Sequence, residues 1–188
     1  YHNIIGADGL PEIVSYHDYK NNKNPVLYRG IAPVSSLRQD ITTTLTTKEM
    51  AIEFFTSDSP FPSRGVYGDG IAYCSPAYKK IAYNYATNGG MTKKGGVIIE
   101  FKLSESANVI EYEDAVSIFK SASSGVSSQV ILNKNQRNAF DKEVGKAMNA
   151  LGYDAILKHN GDNTGEDFYV ILNRGALQTT SRMITTEL

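Results

Sequence analysis

Val26-Leu27-Tyr28-Arg29-Gly30 is a short apolar run that follows Pro25 and ends in an Arg-Gly pair. A run of this kind, bounded by turn residues, reads as a buried β-strand. Further along, Gly68-Asp69-Gly70-Ile71-Ala72-Tyr73-Cys74-Ser75 leads into Pro76-Ala77-Tyr78-Lys79-Lys80-Ile81-Ala82-Tyr83-Asn84-Tyr85-Ala86. That order is a glycine turn, a short aromatic strand, and a helix opened by a hydroxyl N-cap with proline at its first position. Ala77, Ile81, Ala82 and Tyr85 share one helical face, and Gly89-Gly90 stops the helix. No Gly-x-Gly-x-x-Gly follows a strand and opens a helix. Gly68-Asp69-Gly70 precedes a strand instead, so the dinucleotide fingerprint of doubly wound sheets fails on context.

Working outward, residues 1–25 read as a loose lead-in, closed by the polar turn Lys20-Asn21-Asn22-Lys23-Asn24-Pro25. Ser35 to Asp40 suggests a short helix. Thr47 to Phe55 suggests another, with Met50, Phe54 and Phe55 as its apolar positions. The prolines and glycines between Asp58 and Gly70 demand a loop. Val97-Ile98-Ile99-Glu100-Phe101-Lys102-Leu103 alternates, with Val97, Ile99, Phe101 and Leu103 inward and one wet face. Ser121 to Ser128 is small and flexible in composition. Asn138 to Leu151 carries Phe140, Val144, Ala147, Met148 and Leu151 at helical spacing and is closed by Gly152. Asp154 to Leu157 and Phe168 to Leu172 are the last clear strands. This irregular alternation predicts an α+β domain spanning 1–188.

The chain has 188 residues, 41% hydrophobic and 21% charged, which is the composition of one soluble globular domain. No apolar run is long enough to cross a bilayer. A net charge of −1, from 19 basic and 20 acidic residues, argues against a dedicated nucleic-acid binder. Cys74 is the only cysteine, so neither an internal disulfide nor a zinc ladder is available, and a reducing cytosol suits the chain. The start shows neither a basic n-region nor an apolar h-region. Beginning at Tyr1 rather than Met, the chain is expected to be a fragment or a processed product. His2, His17 and His159 stand in no metal or triad spacing and read as ordinary surface residues. Asp162, Asn163 and Asp167 lack the spacing and the terminal glutamate of a calcium loop.

Taken in order, the Arg-Gly strand and the glycine-turn, aromatic-strand, Ala-Tyr-helix segment resemble the NAD-binding core of mono-ADP-ribosyltransferases. The second motif is similar to the PARP-like and diphtheria-like branches and to phage and effector members. The resemblance spans roughly Leu27 to Leu172 and rests on short motifs. It implies an ADP-ribosyltransferase fold, two packed and mostly antiparallel sheets with flanking helices. It also implies NAD as substrate, with no metal. Arg29 would hold the diphosphate or the adenosine ribose through its planar fork, and Gly30 would let backbone approach the nicotinamide amide. Gly70, Tyr73, Ser75 and Tyr78 complete the implied NAD site. Ala72 departs from the pattern, because the family has its nicotinamide-stacking tyrosine there. Tyr73 is favoured as the replacement ring, with Tyr78 or Tyr67 as alternatives. Ser75 reads either as an N-cap or as the serine that supports the catalytic acid. The Ser-Thr-Ser signature of the arginine-modifying branch is missing, Thr56-Ser57 being a faint echo of it.

The family acid opens a late strand after a glycine-rich loop, here Asn160-Gly161-Asp162-Asn163-Thr164-Gly165. Glu166 is favoured for it and Asp167 is the alternative. Such a carboxylate would bond the 2′-OH of the nicotinamide ribose and stabilise an oxocarbenium-like transition state. Thr164 and Gly165 occupy the place where arginine-specific members carry Gln or Glu, which disfavours arginine as acceptor. Gly152-Tyr153-Asp154-Ala155-Ile156 resembles a Gly-Tyr-Asp-Gly-Ile segment of phage and effector members, with Asp154 read as a turn cap. The expectation is therefore a monomeric transferase acting on a macromolecular acceptor. That acceptor is a host or target-cell protein, with nucleic acid left open, and no membrane is involved. The enzyme would be a secreted or delivered toxin, effector or phage modifier acting in the target cytosol. The rival readings are an NAD glycohydrolase using the same site and a catalytically inert binding module of the same fold.

Overall fold

The computed structural model describes residues 9–33, 46–56, 71–74, 79–87, 95–122, 134–161 and 165–188. The chain is α+β, and it divides into two compact units. One draws on residues 10–61, 73–105 and 176–188 and is called here the N-terminal unit. The other is built mainly on 106–175.

The N-terminal unit is organised on β4 (Val97–Leu103). Strand β2 (Leu27–Ile31) lies antiparallel on one edge of β4, from Leu27 opposite Phe101 to Ile31 opposite Val97. Beyond β2 comes β3 (Ile71–Cys74), also antiparallel, with Tyr28 opposite Cys74. The other edge of β4 takes β9 (Ile184–Glu187) near its start and β8 (Leu177–Thr179) at its end. Strand β1 (Glu12–Ile13) runs parallel to β8.

Strand β4 departs from the sequence expectation of one wet face. Ile98 and Lys102 are buried along with Val97, Ile99, Phe101 and Leu103, and only Glu100 is half-buried. Helix α3 (Lys79–Ala86) causes part of this, because Ala82 and Ala86 pack on Ile98. Of the face expected on that helix, Ala82 is buried and Ile81 is half-buried. Tyr85 is exposed, since the buried stripe continues to Ala86 instead.

Residues 9–25 are integral rather than a loose lead-in. Besides β1 they form α1 (Tyr16–Asn21), whose N-cap Ser15 accepts the Asp18 N–H at 3.1 Å. Tyr19 is buried, and the buried Asn22 donates its amide to the Leu103 carbonyl at 2.8 Å. Lys102 returns a bond to the Asn22 carbonyl at 2.7 Å, so the turn after α1 is tied to the end of β4. Helix α2 (Thr47–Thr56) forms as expected. Thr46 and Glu49 exchange bonds across its first turn as a capping box.

In the second unit, β5 (Val109–Glu111) pairs parallel with β6 (Ala155–Gly161), and β6 pairs antiparallel with β7 (Glu166–Ile171). The crossover from β5 to β6 contains α4 (Tyr112–Ala122) and α5 (Lys134–Ala150). Its core joins Ile110, Ala115, Val144, Met148, Ile156, Val170 and Leu172. Helix α5 ends as the sequence indicates. Gly152 takes φ +85°, its N–H meets the Asn149 carbonyl and the Tyr153 N–H meets the Met148 carbonyl, a Schellman-type stop. Leu151, expected inward, is 59% exposed because it lies past the last helical turn. The expected helix at 35–40, the loop at 58–70 and most of 121–128 lie outside the described residues. Among the described residues no helix is long and apolar enough to cross a membrane.

Candidate functional site

The Arg-Gly strand folds as a central element. Leu27 and Ile31 are buried, and Arg29 between them is half-buried opposite Ile99. Alternation turns Tyr28 and Gly30 to the opposite face. There Gly30 meets α3: a Cβ at this position would overlap the Ala82 carbonyl oxygen and lie 2.7 Å from the Ala86 amide nitrogen. Gly96 is in the same situation against the Ala86 carbonyl. Glycine at 30 is thus demanded by helix-on-sheet packing, whatever else it does. The antiparallel pairing of Tyr28 with Cys74 brings the backbone of Tyr73 beside that of Arg29. The Arg-Gly motif and the aromatic strand of the second motif are therefore neighbours in one sheet. Gly70, Ser75 and Tyr78 lie outside the described residues, as do Tyr67 and the side chain of Tyr73.

On the Tyr28 face, Lys79 Nζ stands 5.6 Å from the Tyr28 ring centroid, and Tyr19 donates its hydroxyl to Glu100 Oε1 at 3.2 Å. Burial, and then the Glu100 carboxylate, push both the Tyr19 and Tyr28 phenols above their ordinary range. Both remain neutral hydrogen-bonding groups at physiological pH.

The acidic pair stands inside β7 rather than just ahead of it. Gly165 makes the turn with φ +77°, a left-handed conformation that favours glycine. Glu166 follows, opposite Gly161, and β6 and β7 shift register between Lys158 and Gly161. Consecutive strand residues face opposite sides, and the two acids have different surroundings. Glu166 is half-buried, and its Oε2 is buried with no hydrogen-bond partner among the described residues. A buried carboxylate oxygen in this state is costly and calls for a partner.

Asp167 contacts His159 instead, with its Oδ1 3.1 Å from Nδ1, while Glu111 Oε1 lies 3.6 Å from Nε2. Sequence spacing reads His159 as an ordinary surface residue, because its partners come from two other strands. The Asp167 hydrogen bond above all, with help from Glu111, raises the His159 pKa above its usual value. The protonated form is favoured in the folded state. Its contribution is therefore complete below the unfolded value of about 6.5 and is lost as pH rises through the higher folded value. An NMR titration should show this elevated midpoint, and Asp167→Asn should bring it back toward normal. An unchanged midpoint in that variant would refute the pairing.

A second polar cluster had no sequence signal. Tyr112 on α4 donates its hydroxyl to the buried Asp141 of α5 at 2.6 Å, and Lys158 of β6 lies over the Tyr112 ring at 4.7 Å. Burial, opposed by the bond from Tyr112, raises the Asp141 pKa. The group ties both helices to the sheet.

Asp154 is structural, as the turn-cap reading expects. Its carboxylate accepts the Asn108 N–H and the Asn173 amide, each at 2.8 Å, and its carbonyl accepts the Leu172 N–H at 2.8 Å. Asp154→Ala should cost about 1.5–3 kcal/mol, the usual range for hydrogen bonds to a charged group. In a thermal melt that is a drop of roughly 3–12 °C for a chain of this size.

No family model matches the chain, nor does any curated protein or any solved structure.

Proposed function

We propose that this chain is an NAD-dependent mono-ADP-ribosyltransferase of the ADP-ribosyltransferase fold. The observation that carries the reading is the pairing of β2 with β3, which makes neighbours of two motifs far apart in sequence. Glu166, whose Oε2 has no hydrogen-bond partner among the described residues, is in this reading the carboxylate that takes the ribose 2′-OH. In this reading Arg29 grips the NAD diphosphate or adenosine ribose, and Tyr73 or a neighbouring ring stacks on nicotinamide. Glu166 stabilises positive charge at C1′ as the bond to nicotinamide breaks. Nicotinamide leaves as the neutral amide, and a nucleophile of a macromolecular acceptor bonds to C1′ and releases its proton. In this reading the chemistry needs no metal. On the same reading the acceptor is a macromolecule of a host or target cell, a protein ahead of a nucleic acid, and the enzyme acts there as a delivered toxin, effector or phage modifier.

The direct test is nicotinamide release from NAD, followed by mass spectrometry for ADP-ribose on macromolecules of an exposed lysate. Release with adducts supports the proposal. Release without adducts makes the chain a glycohydrolase, and NAD binding without release makes it an inert module. Millimolar NAD should also raise the melting temperature, since a ligand at a hundred times its Kd stabilises by about 2.7 kcal/mol. Arg29→Ala and Arg29→Lys should lose most of that shift, because a point charge does not replace a bidentate fork. No shift in the unmodified protein would refute the NAD site.

A further inference from the structure

We propose that the cavity bordered by α1, β4 and the turn between β8 and β9 binds a small zwitterion, a molecule carrying both an amine and a carboxylate. The cavity measures about 510 Å³, within the roughly 300–1,000 Å³ of small-molecule sites. It lies wholly in the N-terminal unit, and the proposal is independent of ADP-ribosyl transfer.

Glu100 supplies the negative wall. It is half-buried, and the one hydrogen bond of its carboxylate among the described residues is the 3.2 Å contact from the neutral Tyr19 hydroxyl. Lys102, two residues along the same strand, is committed elsewhere, to the Asn22 carbonyl at 2.7 Å and to the Tyr19 ring. Among the described residues this partly withdrawn carboxylate has no ion-pair partner, a costly arrangement unless a cation comes to it. Arg182 supplies the positive wall from the turn, with Ser181 beside it. Its backbone N–H bonds Thr180 Oγ1 at 3.2 Å, while its guanidinium makes no ion pair among the described residues. Glu100 and Arg182 line one cavity without meeting each other. Two separated opposite charges facing one space complement a ligand whose own charges are separated. The rings of Tyr16 and Tyr19 give apolar wall for the carbons between those charges.

The test is isothermal titration with glycine, gamma-aminobutyrate and epsilon-aminocaproate, which increase the charge separation stepwise. Hexylamine and hexanoate are the single-charge controls. The best zwitterion should bind at least about tenfold more tightly than either control, the size of one charge-assisted contact. Glu100→Gln should weaken it by about tenfold, and Arg182→Ala should do the same while leaving hexylamine unaffected. Arg182 is exposed, so its variant keeps the fold even where Glu100→Gln does not. The proposal is overturned if the zwitterions bind no better than the controls or give no heat at millimolar concentration. It is also overturned if Arg182→Ala binds the best zwitterion as tightly as the unmodified protein.

Discussion

Gly30→Ala is expected to lower stability by more than about 3 kcal/mol, beyond the usual range for an added methyl in a packed core. The reason is the nature of the obstruction. The methyl would fall on the carbonyl oxygen of Ala82 and close to the Ala86 amide, which are backbone atoms of α3 and cannot rotate aside. Helix α3 must then lift from β2 and β4, which opens the cluster of Ala82, Ala86 and Ile98. For a chain of this length each kcal/mol shifts the midpoint by about 2–4 °C, so a thermal melt should fall by at least roughly 6–12 °C. Gly96→Ala should behave similarly, because the Ala86 carbonyl blocks it in the same way. Gly152→Ala is the control, with open space around it but φ at +85°. It should cost only the left-handed backbone penalty of about 1–2 kcal/mol. A Gly30→Ala protein melting with the unmodified one would refute the close approach of α3.

The largest expected effect on activity is that of Glu166→Gln. If the proposed transfer is correct, removing this charge should slow nicotinamide release by roughly a hundredfold or more, the scale of a lost electrostatic group at a reacting centre. Binding of NAD should change little, since the interaction develops mainly in the transition state. Asp167→Asn should be mild, because Asp167 is on the other side of the strand and contacts His159. The reverse pattern would move the catalytic role to Asp167. If neither variant lost activity, the acid would have to lie elsewhere. Asp154 is a poor substitute, since its carboxylate oxygens already serve Asn108 and Asn173.

Much of the architecture was legible in local pattern. The β2 run, the apolar β4, the α5 periodicity with its Gly152 stop, and the acidic pair at the head of β7 all follow from spacing and turn chemistry. Each of those signals is carried by residues close together in the chain, and local propensity and periodicity report on that range. The α+β class follows from their irregular order.

Tertiary structure decided what depends on residues distant in sequence. The strands β1, β8 and β9 are short, and each exists by pairing with a partner far along the chain. The segment ahead of β2 reads as a lead-in because its polar residues look like loop, yet Asn22 is buried by bonds to the end of β4. The wet face expected on β4 shrinks to the half-buried Glu100 because helices cover Ile98 and Lys102, and a strand cannot announce what will lie over it. The difference between Glu166 and Asp167 has the same origin. The sequence marks two adjacent acids, and only the fold gives one of them a histidine and leaves the other with a buried oxygen that has no partner among the described residues.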